Sequence, residues 1–407
     1  MSIRQQATIE DIRPEKEFSG ITFSGYKSVA VKNQLLKSLV AGEIEAAQYW
    51  AAELLCAGHL MMIWEVCFLI SARYIHRANA RLASYLSMKL LKFRRLARAG
   101  EFSADLEMRN DVDIRQIFAE MICIIALSPK QHSLDNVVIK EGDFDGEKMA
   151  LRCRAPNTTY ADRIFRHGEK RGTGAASASA SSSTTTHAST PTSTVLATDI
   201  TRATGDPPEI YVAVNEFMYS ISDEGLNLQL ACFWAEWICD LDAQSRKRKL
   251  SLNIMPRTNA PVEDKYMDDP VWILWEGIFD TIERKKIHRE KELLRKLAHD
   301  LLTIYTLRYT PSIKKRRRFL LYMLINYVVE IPAFDRPIVY QTHTVGAICS
   351  KISAVYQQLK QYEVRTLGSR AVEGEESSNA PQPIPSFLPQ PTAVLTALPP
   401  KPHLPSL

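Results

Sequence analysis

Apolar residues recur at three- and four-residue spacing through most of the chain. Ile44, Ala47, Ala51, Leu54, Leu55 and Gly58 trace one amphipathic helix, and Leu86, Leu90, Phe93 and Leu96/Ala97 trace another that ends on Gly100. Gly58 suits a left-handed C-terminal cap. A further helix opens at "TPSIKKRRRFLL", with Thr310 at the N-cap and Pro311 at the first helical position. From Phe319 to Val329 it is apolar nearly all round, as a central core helix is. "IYVAV" and "NVVIKEG" are strand-like runs, but no alternating meander accompanies them. The pattern predicts an all-α fold.

The pattern also repeats. "VAVKNQLLKSLVAGEIEAAQYWAAELLC" (29–56) aligns without a gap on "VAVNEFMYSISDEGLNLQLACFWAEWIC" (212–239), with Glu53 on Glu236 and Cys56 on Cys239. Two later anchors extend the match. Trp64-Glu65 and Phe68 align with Trp275-Glu276 and Phe279 after an insertion at about 240–270, and Arg115 and Met121 align with Arg317 and Met323. The expected architecture is a tandem duplicated helical unit, with Trp50, Glu53, Trp64, Glu236, Trp237 and Trp275 in the repeat cores. Residues 172–196 are small and polar, and nine of the 21 prolines lie from 381 onward. Such segments cannot offset the entropy of ordering. The predicted division is therefore a first unit at 20–166, a disordered linker at 167–204, a second unit at 205–366 and a disordered Pro-rich C-terminal tail at 367–407.

Composition changes this picture little. A formal charge of +5 is mild, and seven cysteines without C-x-x-C spacing point to a reducing compartment without structural disulfides. The N-terminal stretch lacks an apolar secretory core, and the apolar runs are too short to span a membrane. Candidate chemistry is sparse. "GITFSGYKS" (20–28) approaches a phosphate-binding loop, but Tyr26 displaces Lys27 and Ser28 by one residue, so a turn leading into the first helix is the reading. "EGDFDGEK" (141–148) lacks the ligands of a calcium loop and reads as a surface turn. Glu53/Glu236 and Glu65/Glu276 recur within the duplicated frame, where a helix-helix ion pair or buried hydrogen bond is simpler than catalysis. No enzyme, cofactor or metal site is expected.

Basic clusters carry more. Residues 281–318 hold thirteen Lys/Arg against four Asp/Glu, densest at Lys314, Lys315, Arg316, Arg317 and Arg318. Cations at a helix start oppose its dipole, so helix stability does not select them. The first unit has Lys89, Lys92, Arg94, Arg95 and Arg98 without an acid among them, and "SRKRK" (245–249) lies in the second unit's insertion. Contacts to nucleic-acid phosphates are one use for such clusters, and a solvated face is the other.

Two resemblances follow from these motifs. Within "LLKSLVAGEIEAAQYWAAELLCAGH" (35–59), Lys37, Ser38, Glu45, Ala46, Ala47, Tyr49, Trp50 and Gly58 resemble the C-terminal helical domain of clamp-loader-related AAA+ ATPases of the recombination factor A type. That resemblance implies an oligomerisation collar; the ATPase module has no counterpart. "FSGYKS", "AAQYWAAELLCAGH", "ACFWAEWICDLD", "WILWEG" and "KKRRRFLLYML" together resemble a conserved family of the nucleocytoplasmic large DNA viruses, over roughly 20–335. It implies a viral setting and supplies no activity. The expectation is a non-enzymatic, clamp-loader-collar-like scaffold or adaptor with protein partners, capable of oligomerisation, and associated with nucleic acid in replication or genome handling. Its place would be the host cell cytoplasm or nucleus, or the virion. The alternative is a virion structural (minor capsid) protein.

Overall fold

The computed structural model describes residues 7–166, 205–249, 252–286, 290–339 and 341–365. The expected linker at 167–204 and the Pro-rich tail at 367–407 lie outside the described residues. Among those described, the chain is helical without a strand, apart from an isolated bridge between Ile21 and Lys27.

Five helices build the first unit: α1 (Ser28–Ala41), α2 (Ile44–Cys56), α3 (Leu60–Ile70), α4 (Leu82–Ala99) and α5 (Val112–Leu127). Two short ones follow, α6 (Gly146–Arg152) and α7 (Asp162–Arg166). The second unit repeats the order with α8 (Pro208–Ile221), α9 (Leu228–Lys247), α10 (Val271–Arg284), α11 (Lys291–Tyr305) and α12 (Pro311–Val329). The described chain closes with α13 (Thr342–Ser350) and α14 (Ile352–Leu359).

Local chemistry explains the boundaries. Gly58 ends α2 at φ 78, and a Cβ there would press on the Leu106 backbone at 3.1 Å, so only glycine fits. Gly225, the repeat partner of Gly42, is required for another reason: a Cβ would fall 2.1 Å from the Tyr219 carbonyl oxygen. Pro311 opens α12 as predicted, although the Thr310 side chain bonds to Ser312 Oγ instead of capping. "IYVAV" lies within α8, and "NVVIKEG" is irregular up to a 3₁₀ turn, so neither is a strand.

The duplication is visible in the packing. Contacts of α1 with α2 and α3, of α2 with α5, and of α4 with α5 recur as α8 with α9 and α10, α9 with α12, and α11 with α12. Trp64 and Trp275 occupy corresponding places on the third helix of each unit. The Trp64 ring lies 5.7 Å from Phe68, 5.8 Å from Phe93 on α4 and 5.5 Å from Phe118 on α5. Trp275 lies 6.3 Å from Phe279 and 5.3 Å from Tyr305 on α11. Rings at these separations add about 0.5–1.5 kcal/mol per pair beyond the area they bury.

The units also exchange their extensions. After α5 the chain crosses to the second unit, where Phe144 stacks on Trp237 at 4.9 Å and Trp237 Nε1 donates to the Asp143 carbonyl. The Arg154 and Ala155 amides donate to Glu216 on α8, and Tyr211 Oη donates to the Thr158 carbonyl. After α12 the chain crosses back, laying α13 on α5 and α14 on α2. Segments 141–166 and 342–365, which fall by sequence in the first and second unit, are thus packed in space on the opposite one.

Directly between the units, α4 packs along its counterpart α11 and α3 packs on α12. One side chain joins these contacts. Arg317, 2% exposed, donates to the carbonyls of Ile304, Tyr305 and Leu307 at the end of α11. Its Nη2 also meets Glu65 Oε1 on α3 at 2.6 Å. Arg317→Met should cost about 3–5 kcal/mol in urea unfolding, since it strands Glu65 and the helix-end carbonyls together. Arg317→Met with Glu65→Leu should recover only the part due to Glu65. Full recovery in the double variant would show that the carbonyl bonds contribute nothing.

Candidate nucleic-acid interface

The basic run at the start of α12 is mostly neutralised within the fold. Lys314 Nζ lies 2.9 Å from Asp269 Oδ1 with both side chains buried, and Lys315 Nζ lies 3.4 Å from Asp240. Arg317 is bound to Glu65, and Arg318 lies 3.6 Å from Glu236. Arg316 is exposed and bonds to Ser312 Oγ at 3.3 Å, with no acid beside it among the described residues. The predicted phosphate contacts at Lys314 and Arg317 are therefore corrected, because both groups are buried and committed to carboxylates. Those acids also account for cations at the positive end of a helix: they offset the unfavourable dipole.

On α4 the balance is different. Lys89 is buried against Glu120 at 2.7 Å. Beyond it, Lys92, Arg95 and Arg98 are exposed and Arg94 half-buried, and none of these four has a carboxylate partner among the described residues. Lys92, Arg95 and Arg98 follow one another at three-residue spacing, so they form one stripe about 9 Å long. Met88 and Leu91 are exposed on the same helix. The counterpart helix lacks such a stripe: on α11, Arg295 pairs with Glu283 and Glu292, and Lys296 with Asp300.

Arg308, which sequence reasoning did not single out, joins this face from the second unit. It lies three residues beyond α11, and its Nη2 is 3.6 Å from Asp105 Oδ1 of the first unit. Nothing in its sequence surroundings marks it, since its neighbours are set by the packing of α11 on α4. Burial holds the Arg94 guanidinium below the usual arginine range, and the charges of Arg98 and Arg308 add to that. The third cluster has a local explanation. Arg246 and Lys247 sit in the last turn of α9, where cations favour the dipole, and Arg246 pairs with Asp242.

The acidic candidates serve the fold. Glu53, fully buried, accepts from the Ser24 amide at 3.0 Å, from Ser24 Oγ and from Tyr49 Oη at 3.2 Å. It thereby anchors the 20–27 turn beside Trp50, which contacts Tyr26 and Tyr49. A loop amide that a phosphate would need is already taken by a carboxylate. Asp145 caps α6 through the Glu147 amide, and Asp143 accepts from the Lys140 amide and Arg152. Among the described residues no group of His, Cys, Asp and Glu is arranged to hold a metal ion. Burial pushes the thiols of Cys56 and Cys123 up to about 12.

No protein-family model, curated protein or solved structure matches this chain.

Burial raises the Glu53 carboxyl above its ordinary value of 4.5, against the lowering by its hydrogen bonds from Ser24 and Tyr49. With the folded value raised, the native state holds the extra proton. The stability this adds is full below pH 4.5 and is lost as pH rises through the folded value. Burial also raises Glu236, and that contribution has the same sign. Comparing wild type with Glu53→Gln by urea unfolding across pH isolates Glu53. Wild type should lose stability relative to the variant as pH rises above 4.5; parallel curves would contradict the assignment.

Proposed function

We propose that this protein is a non-enzymatic helical scaffold that holds nucleic acid by its phosphates along α4, in the replication or genome handling of a large DNA virus. The observation that carries the reading is the stripe of Lys92, Arg95 and Arg98, flanked by Arg94, with no acid pairing to it among the described residues. A stripe about 9 Å long faces two or three successive phosphates of one strand, which lie about 3.4 Å apart along the helix axis of B-form DNA. Its cations stand on one helix that is packed against α5 and α11, so their spacing is held by the fold. Contacts to phosphates carry no sequence information, so this binding is indifferent to sequence. The viral setting rests on the motif resemblance, and the adaptor role on the two-unit architecture.

Binding of labelled single- and double-stranded DNA should weaken steeply with salt. Lys92→Gln, Arg95→Gln and Arg98→Gln together should reduce the log–log salt slope by about 0.7–0.9 for each phosphate no longer neutralised, with helicity unchanged. Lys315→Gln with Arg316→Gln, at the basic run on α12, should leave slope and affinity near wild type. No wild-type binding at low salt, or a triple variant with the wild-type slope, would overturn the reading and favour a virion packing role.

A further inference from the structure

The α4 stripe does not stop at its own unit. Arg308 reaches it from the second unit, and its backbone is held at φ 47, a left-handed conformation uncommon for a side chain other than glycine and seen here also just past the ends of α4 and α9, at Glu101 and Lys249. Its side chain is 65% exposed, so burial does not explain why it is kept there. The contact to Asp105 at 3.6 Å places the guanidinium across the seam, seven residues beyond Arg98 in the first unit. Arg94 and Arg98 occupy the last turns of α4 on that side of the seam. With α4 packed along α11, the charges of Arg98 and Arg308 both bear on Arg94, and Asp105 is the carboxylate that Arg308 contacts. Like charges so gathered repel, and the strained backbone adds to the cost, so fold stability does not select this arrangement. An anion with several oxygens relieves it, and the planar fork of a guanidinium matches a phosphate.

We propose that Arg94, Arg98 and Arg308 form one phosphate seat assembled from both units, where a nucleic-acid strand following Lys92, Arg95 and Arg98 crosses the seam. This deepens the function proposed above and rests on it. The seat makes the second unit a direct participant in binding, through a residue with no cation adjacent to it in the sequence. The two units must be packed on one another for the seat to exist.

The informative variant is Arg308→Gly, because glycine takes a φ of 47 without strain and the fold should be kept. Full-length protein would be titrated with a labelled single strand and a labelled duplex, each about 20 nucleotides long so that one strand spans the stripe and the seat, at several salt concentrations and alongside thermal melting. Arg308→Gly should melt at or above the wild-type temperature and yet show a salt slope lower by about 0.7–0.9, the value of one phosphate. Arg308→Asn should show the same decrease, since asparagine also tolerates the left-handed region. Arg308→Lys should retain the slope. If wild type binds while both Arg308→Gly and Arg308→Asn keep its slope, the seat is wrong and the α4 reading stands. If wild type binds neither DNA at low salt, the α4 reading fails and the seat with it.

Discussion

A buried guanidinium must find acceptors for all its donors, and Arg317 meets that demand by drawing three parts of the molecule together. The end of α11 leaves carbonyls without helical partners. Arg317 takes the carbonyls of Ile304, Tyr305 and, two residues beyond the helix, Leu307, and reaches Glu65 in the other unit with what remains. The repeat solves the same problem twice. Arg115, its aligned partner, is also buried and donates to the carbonyls of Arg109 and Ala7 and to Asn110 Oδ1. Its cationic face lies 3.9 Å from the Tyr356 ring, brought by α14 from the far end of the described chain. In each unit one arginine near the start of the fifth helix binds the segment before it and then something from the opposite half.

Much of this was legible in the sequence because it is local or repeated. Helix periods, Gly58 and Pro311 report the backbone directly. The duplicated frame located Trp64 and Trp275, and it made Glu53, Glu65 and Glu236 structural before any contact was visible. What was not legible depends on distant neighbours. Lys314 and Arg317 read as surface cations because Asp269 and Glu65 lie 45 and 252 residues away in sequence. Arg308 is a lone cation in its own stretch, and only the packing of α11 on α4 delivers it to a cluster. The exchange of extensions left no trace in the periodicity either, since α14 is amphipathic whichever unit it covers.

Charge shows the same dependence on placement. The run at 314–318 is denser than the one on α4, but acids from α9, from α3 and from the turn before α10 absorb it. On α4 the sequence spreads as many cations over twice the length, and beyond Lys89 no carboxylate among the described residues pairs with them. The sparser cluster therefore projects the stronger field.

The exchanged extensions have a consequence during synthesis. The face of α2 and α5 that α13 and α14 cover is made early in translation, while its cover is among the last described residues to leave the ribosome. At about 5–20 residues per second, the chain from Leu127 to Leu359 takes roughly 10–50 s to make. Through that interval the first unit carries an uncovered apolar face. A nascent chain in that state is a substrate for chaperones, and two such chains on one message could trade covers before either is complete.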